Sequence, residues 1–284
     1  MSIPLVILPC LAYAADVAIL STAVAGHIVN EPDYISSCLT TLRNQWRLLG
    51  GQAELVCTTL PKKVETKLGC DGMIAIENTL TGQFKILLFE AKQIKNKMDK
   101  VVISSSLPAQ VEYLIATLPS VHSHLSDQIA RQAQVLALNP GLAIIELFLC
   151  LRAPYGPFVG PNFDIHGSTC VKHADARDHV APPGATPPLR NYTDAWKYKI
   201  DLPVVCGVIP GQNLQSTFQE LIACSFGTPF RHQNGLLGLL QVFGGQPLRN
   251  VPKSRSLSSL LRDLGISHFL HVEGRAVGWS SDLR

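Results

Sequence analysis

The stretch CDGMIAIENTLTGQFKILLFEAKQIK, residues 70–95, constrains this chain more than any other. Two apolar runs flank a polar turn, which predicts a β-hairpin built into a core. NTLTGQ supplies the turn residues; with the turn centred between Leu80 and Thr81, antiparallel pairing sets Asp71 opposite Glu90. Side chains alternate along a strand, so Glu90 and Lys92 share a face. Asp71, Glu90 and Lys92 therefore converge at one end of one sheet face, beyond an otherwise apolar body.

Two adjacent carboxylates repel each other and are costly to desolvate without a positive partner. Lys92 supplies one charge, and a hard divalent cation with oxygen ligands is the better answer. Mg²⁺ or Mn²⁺ held by Asp71 and Glu90 suits attack on a phosphodiester, because it can lower the pKa of a bound water and stabilise developing charge. Lys92, a compact point charge, would orient the nucleophile or neutralise the transition state. The bland alternative is a surface ion pair at a hairpin end, which contributes little. A site at the end of a sheet is expected to face solvent.

The elements around the hairpin are also legible. After NEPDY, the residues Ile35, Leu39, Leu42, Trp46 and Leu49 recur at three- and four-residue spacing, one face of a helix that stops at LGG. AELVCTTL reads as a strand. In SVHSHLSDQIARQAQVLALN, the residues Val121, Leu125, Ile129, Ala133 and Leu136 form a second helical stripe. LAIIELFLCL, residues 142–151, is a continuous apolar run of the kind found in a strand covered on both faces. Further on, LPVVCGVI (202–209) predicts a strand, and NLQSTFQELIACSFG and SLSSLLRDLGI predict helices. Residues 153–199 hold seven prolines and predict an irregular insertion outside the sheet. The fold class is α/β, a mixed central β-sheet flanked by helices. The division is an N-terminal apolar helical segment (1–29), a core (30–152), the Pro-rich insertion (153–199) and a C-terminal α/β portion completing or decorating the core (200–284).

Composition bounds the chemistry. With 46% hydrophobic and 16% charged residues over 284 positions, the chain is globular and can bury a sizeable core. Lys plus Arg exceeds Asp plus Glu by 24 to 21, which permits nucleic-acid binding without arguing for it. The eight cysteines show no paired spacing, so neither a disulfide framework nor a zinc site is expected, and a cytoplasmic location fits. The N-terminal run MSIPLVILPCLAYAADVAILSTAVAGHI reads as a buried helical hairpin; a membrane segment or a signal peptide are its alternatives. KHADARDH (172–179) lacks a metal-ligand spacing, and HSH (122–124) caps or precedes a helix. No Walker A motif implies a nucleotide cofactor, and no Gly-x-Ser-x-Gly elbow implies a Ser-His-Asp hydrolase.

The order helix, strand, Asp-bearing strand, Glu-x-Lys strand, helix, strand over residues 30–151 resembles the PD-(D/E)xK nuclease superfamily, the restriction-endonuclease-like fold. Cys70 stands where that family usually has proline. The resemblance implies a metal-dependent DNA endonuclease with a C-terminal elaboration. Asp71 and Glu90 would be its metal ligands, the Ala91 carbonyl a third, and Mg²⁺ or Mn²⁺ its cofactor. Many members place a Q-x-x-x-Q pair on the next helix; Gln128 and Gln132 have that spacing, and Gln128 would support Lys92 or the phosphate. Some members add a glutamate, for which Glu31 and Glu65 are the candidates. DNA is the implied partner, tracked by the basic segment Lys92 to Lys100 with Lys62 and Lys63. A role in restriction or defence against foreign DNA, as a homodimer or within a larger defence complex, follows by analogy only. Two rival readings stand beside it: a nucleic-acid-binding or scaffold protein that kept the fold without catalysis, and a protein anchored to membrane by its N-terminal segment.

Overall fold

The computed structural model of the chain describes residues 2–25, 27–28, 30–58, 68–93, 101–103, 121–149, 168–181, 190–191, 195–197, 201, 205, 213–231 and 257–279. Its helices are α1 (Leu8–Val24), α2 (Glu31–Leu48), α3 (His124–Leu138), α4 (His173–His179), α5 (Leu214–Ile222) and α6 (Leu257–Leu264). The strands are β1 (Gln52–Cys57), β2 (Gly72–Asn78), β3 (Gln83–Gln93), β4 (Val101–Ile103), β5 (Val121–Ser123), β6 (Ala143–Leu149), β7 (Thr169–Lys172), β8 (Val180–Ala181), β9 (Arg190–Asn191), β10 (Phe230–Arg231) and β11 (His268–Gly274). Seven strands form one mixed sheet in the order β1-β11-β2-β3-β6-β7, with β10 paired to the start of β3. β4 with β5, and β8 with β9, form separate two-stranded pairs.

Local chemistry accounts for the helices that flank this sheet. Asn30 caps α2 by accepting from the Asp33 N–H (2.9 Å), and Pro32 sits in the first turn, where its missing N–H costs nothing. The stripe Ile35, Leu39, Leu42 and Trp46 is buried, as the spacing predicts, whereas Leu49 is exposed beyond the helix. Gly51 follows because a Cβ there would lie 2.2 Å from the Trp46 indole. Ser123 caps α3 by accepting from the Ser126 N–H (3.0 Å), the capping role expected of the HSH segment.

The two sheet faces have separate cores. On one, Ile74, Ile76, Leu87, Phe89, Ile145 and Leu270 pack with residues of α1, α2 and α5. On the other, Met73, Ala75, Ile86, Leu88, Ile144 and Phe269 pack with Leu261 and Leu264 of α6. α3 lies over this second face toward β6 and β7, where Leu125 and Ile129 meet Phe148 and Val171.

Three parts of the sheet differ from the sequence reading. β11 is a central strand, antiparallel to β1 and parallel to β2, where no strand was expected. Its two histidines and Glu273 interrupt the apolar pattern that would have announced it. β7, inside the Pro-rich stretch 153–199, pairs antiparallel with β6. Proline bars pairing only where it stands, and TCVK has none. The strand expected over 202–209 falls mostly outside the described residues, but Val205 and the neighbouring Asp201 are helical. The C-terminal portion thus completes the sheet through β11.

Candidate functional site

The expected register holds. Gly72 pairs with Phe89, and the Asp71 N–H extends the ladder to the Phe89 carbonyl (2.9 Å), so Asp71 stands opposite Glu90. Gly72 is required by crowding: a Cβ there would fall 2.0 Å from the Phe89 ring. The Asp71 carbonyl accepts from the Ser267 and His268 N–H groups (3.1 and 3.2 Å) and from Ser267 Oγ (2.7 Å), so the start of β11 anchors this corner. The Asp71 carboxylate accepts from the Ala91 N–H (2.9 Å).

Glu90 and Lys92 lie on the face that α3 covers. Lys92 Nζ and Gln128 Nε2 both donate to Glu90 Oε1. Glu31, from the first turn of α2, accepts from the Gln93 N–H (2.8 Å), bringing a further carboxylate to the end of β3. Gln132 donates from Nε2 to the Gly69 carbonyl (2.7 Å) and meets His173 Nδ1 through Oε1 (2.8 Å). Gly69 has φ +69°, and a Cβ there would lie 2.5 Å from the Gln128 carbonyl oxygen, so α3 sits directly on this turn.

The expectation of a solvent-facing site is corrected. Glu90 is 1% exposed and the Lys92 side chain 13%, because α3 closes over the end of the sheet. The sequence reading also missed Glu146. β3 and β6 are parallel with Glu90 beside Glu146, so both carboxylates project from one face of neighbouring strands. Glu146 is fully buried. Its signal was present: it is the lone acid in an otherwise apolar strand.

Burial governs the electrostatics. It pushes Glu90 well above the carboxylate range, a shift that Asp71 reinforces and Lys92 opposes. Burial also raises Glu146 to about 8, against the pull of Lys92 and the nearby Gln132 amide. Burial alone would lower Lys92, but the carboxylates of Glu90, Asp71 and Glu31 outweigh it and raise its pKa. His173 goes the other way, down to about 4, because burial and Arg177 disfavour its charged form. One ammonium thus stands among four carboxyl groups, of which Glu90 and Glu146 are buried, an arrangement that favours a proton or a cation beside them.

The residues present fit a cation. Among the described residues, Glu90 Oε2, both Glu146 carboxylate oxygens and Gln128 Oε1 are buried without a hydrogen-bond donor. They are hard oxygen donors, the type that Mg²⁺ and Mn²⁺ prefer. Of the residues singled out from sequence, Asp71, Glu90, Ala91, Lys92, Gln128 and Glu31 come together; Glu65, Lys62, Lys63, Lys95, Lys97 and Lys100 lie outside the described residues. KHADARDH belongs largely to α4, whose histidines turn to separate partners, His173 to Gln132 and His179 to Asp201 (3.0 Å).

A second group lies at the opposite end of the same face. The ligand atoms of Glu77, His271 and Glu273 are within 4.8 Å of one another, while among the described residues no trio drawn from Asp71, Glu90, Glu146 and Glu31 is so tight. No protein-family model, curated protein or solved structure matches this chain.

Proposed function

We propose that this protein is a metal-dependent DNA endonuclease with a restriction-endonuclease-like core. The element order α2, β1, β2, β3, α3, β6 supports the fold reading. The observation that carries the activity is the pairing of Asp71 with Glu90 at a strand end, with Lys92 on the Glu90 face and buried oxygens awaiting a positive partner.

Asp71 and Glu90 would hold the cation, with the Ala91 carbonyl as a third donor. A bound Mg²⁺ or Mn²⁺ would acidify water and neutralise charge on the scissile phosphate. The chain's own residues prepare that site. Asp71 is held by the Ala91 N–H and by the start of β11. Lys92 and Gln128 grip one oxygen of Glu90 and leave the other turned inward. Glu31 fixes the backbone at Gln93, just past Lys92. Lys92, which donates to Glu90 and keeps 13% of its side chain exposed, is the group to orient a nucleophile or meet the transition-state charge.

Incubation with linear, circular and single-stranded DNA, with and without Mg²⁺, tests this. Cleavage by the wild type that needs the cation and is lost in Asp71→Ala supports it. Metal binding without cleavage would favour a fold retained for nucleic-acid binding. That alternative draws on Asp71 and Glu90 each already spending an oxygen inside the protein. Absence of both binding and cleavage would overturn the proposal.

A further inference from the structure

β11 lies inside the sheet, between β1 and β2, where a strand covered on both faces would be apolar throughout. Its second half instead reads His271-Val272-Glu273. Alternation sends Val272 into the core of one face and His271 and Glu273 to the other. β2 runs parallel to β11 with Glu77 paired to Glu273, so two carboxylates stand side by side on that second face. Glu54 of β1 pairs with His271 from the other edge and adds a third. Like charges on neighbouring strands repel. Among the described residues no lysine or arginine pairs with any of the three acids, and the group between them is the His271 imidazole.

These side chains are set on a fixed frame. The Glu273 carbonyl accepts from Trp46 Nε1 (3.2 Å), and the Gly274 carbonyl accepts from the Thr79 N–H (2.8 Å), which ties β11 to α2 and to the end of β2. The His271 ring packs beside Phe84, with centroids 6.2 Å apart, and its Nε2 meets Glu77 Oε2 at 3.0 Å. The ligand atoms of Glu77, His271 and Glu273 all lie within 4.8 Å of one another, on two adjacent strands rather than on a loop. A proton on His271 offsets one carboxylate. A divalent cation offsets both and takes a lone pair from all three groups.

We propose that Glu77, His271 and Glu273 bind Zn²⁺ and that the ion pins β11 to β2. Mg²⁺ and Ca²⁺ take oxygen ligands, whereas one imidazole nitrogen with two carboxylate oxygens is a set that Zn²⁺ accepts, with water in a fourth position. Glu77, 25% exposed, leaves that position open to solvent. The site lies about 20 Å from Asp71 by strand rise, so it is separate from the hairpin end and stands whether or not the chain cuts DNA. Its work is structural: the first residues of β11 carry the hydrogen bonds to the Asp71 carbonyl, and a metal at the far end holds the same strand in register.

Zn²⁺ titration of the chelator-treated full chain by calorimetry, with thermal melting beside it, tests the inference. The wild type is expected to bind a Zn²⁺ that His271→Gln and Glu273→Gln each weaken by at least about tenfold, since even the loss of a partner behind a metal ligand costs that much. Asp71→Ala should keep this ion. Zn²⁺ should raise the wild-type Tm and leave that of His271→Gln unchanged. The glutamine at 271 still offers a donor to Glu77, and Glu273 is partly exposed, so both variants should melt near the wild type in chelator. If His271→Gln fails to fold, Glu273→Gln reads the same site. A wild type that takes up no Zn²⁺, or variants at 271 and 273 that bind as tightly as it does, would overturn the site and leave the nuclease reading untouched. An ion lost in Asp71→Ala and kept in the other two variants would place it at the hairpin end, which also refutes the proposal.

Discussion

Lys92 stands among the carboxylates of Glu90, Asp71 and Glu31 and hydrogen-bonds the most buried of them. Surface ion pairs contribute little, but removing one partner of a buried pair leaves an uncompensated charge and costs about 3–5 kcal/mol. At 13% side-chain exposure beside a carboxylate that is 1% exposed, Lys92 belongs to the second case. In chelator, Lys92→Ala is therefore expected to lose stability of that order, measured by urea unfolding. Adding Glu90→Gln should restore most of it, because the amide carries no charge to balance. A Lys92→Ala variant as stable as wild type would show that the ammonium is not what balances Glu90. The same variant should lose DNA cleavage even where added Mn²⁺ restores its stability, since charge balance and service to the nucleophile are separate tasks.

β11 decides whether the site has a floor. It lies between β1 and β2, with Leu270 opposite Leu55 on one side and Ile74 on the other, and Leu270 is fully buried. Its first residues also carry the hydrogen bonds to the Asp71 carbonyl. Leu270→Ala should cost about 2–5 kcal/mol, as truncation of a core leucine does. A loss under about 1 kcal/mol, below that range, would mean that β11 does not hold the centre of the sheet. Folded Leu270→Ala should keep its cation affinity, because the lesion lies on the opposite face from Glu90.

At the scale of the whole molecule, the segment Leu5–Ala23, which takes in most of α1, is long and apolar enough to cross a bilayer, as core helices and signal sequences also can be. Asp16 speaks for the interior. It is fully buried and accepts from the Tyr34 hydroxyl (2.7 Å), the Ser168 N–H and Ser168 Oγ (2.6 Å), joining α1 to α2 and to the residue before β7. The Leu5 N–H also donates to the Arg275 carbonyl (2.7 Å), tying the start of the chain to the end of β11. The expressed chain is expected in the soluble fraction without detergent. Asp16→Ala, which strands buried donors, should lose about 3 kcal/mol. Recovery of the wild type only in detergent would count against the helix being a core element.

The sequence by itself determined whatever depends on neighbours along the chain. The helical stripe from Ile35 to Trp46, the cap within the HSH segment, and the hairpin register that sets Asp71 against Glu90 all follow from spacings within a single element or a single tight turn. Only the tertiary structure decided what depends on pairing between distant segments. Glu146 became part of the site because β6 docks parallel to β3 with Glu90 and Glu146 side by side, a register set by packing across an intervening helix. β11 entered the centre of the sheet because its polar residues could be accommodated, His268 against Ser36 (2.9 Å) and His271 against Glu77 (3.0 Å). Burial was decided the same way: the charges of a strand end read as solvent-facing until α3 closes over them, and it is that enclosure which raises the cost of leaving Glu90 charged.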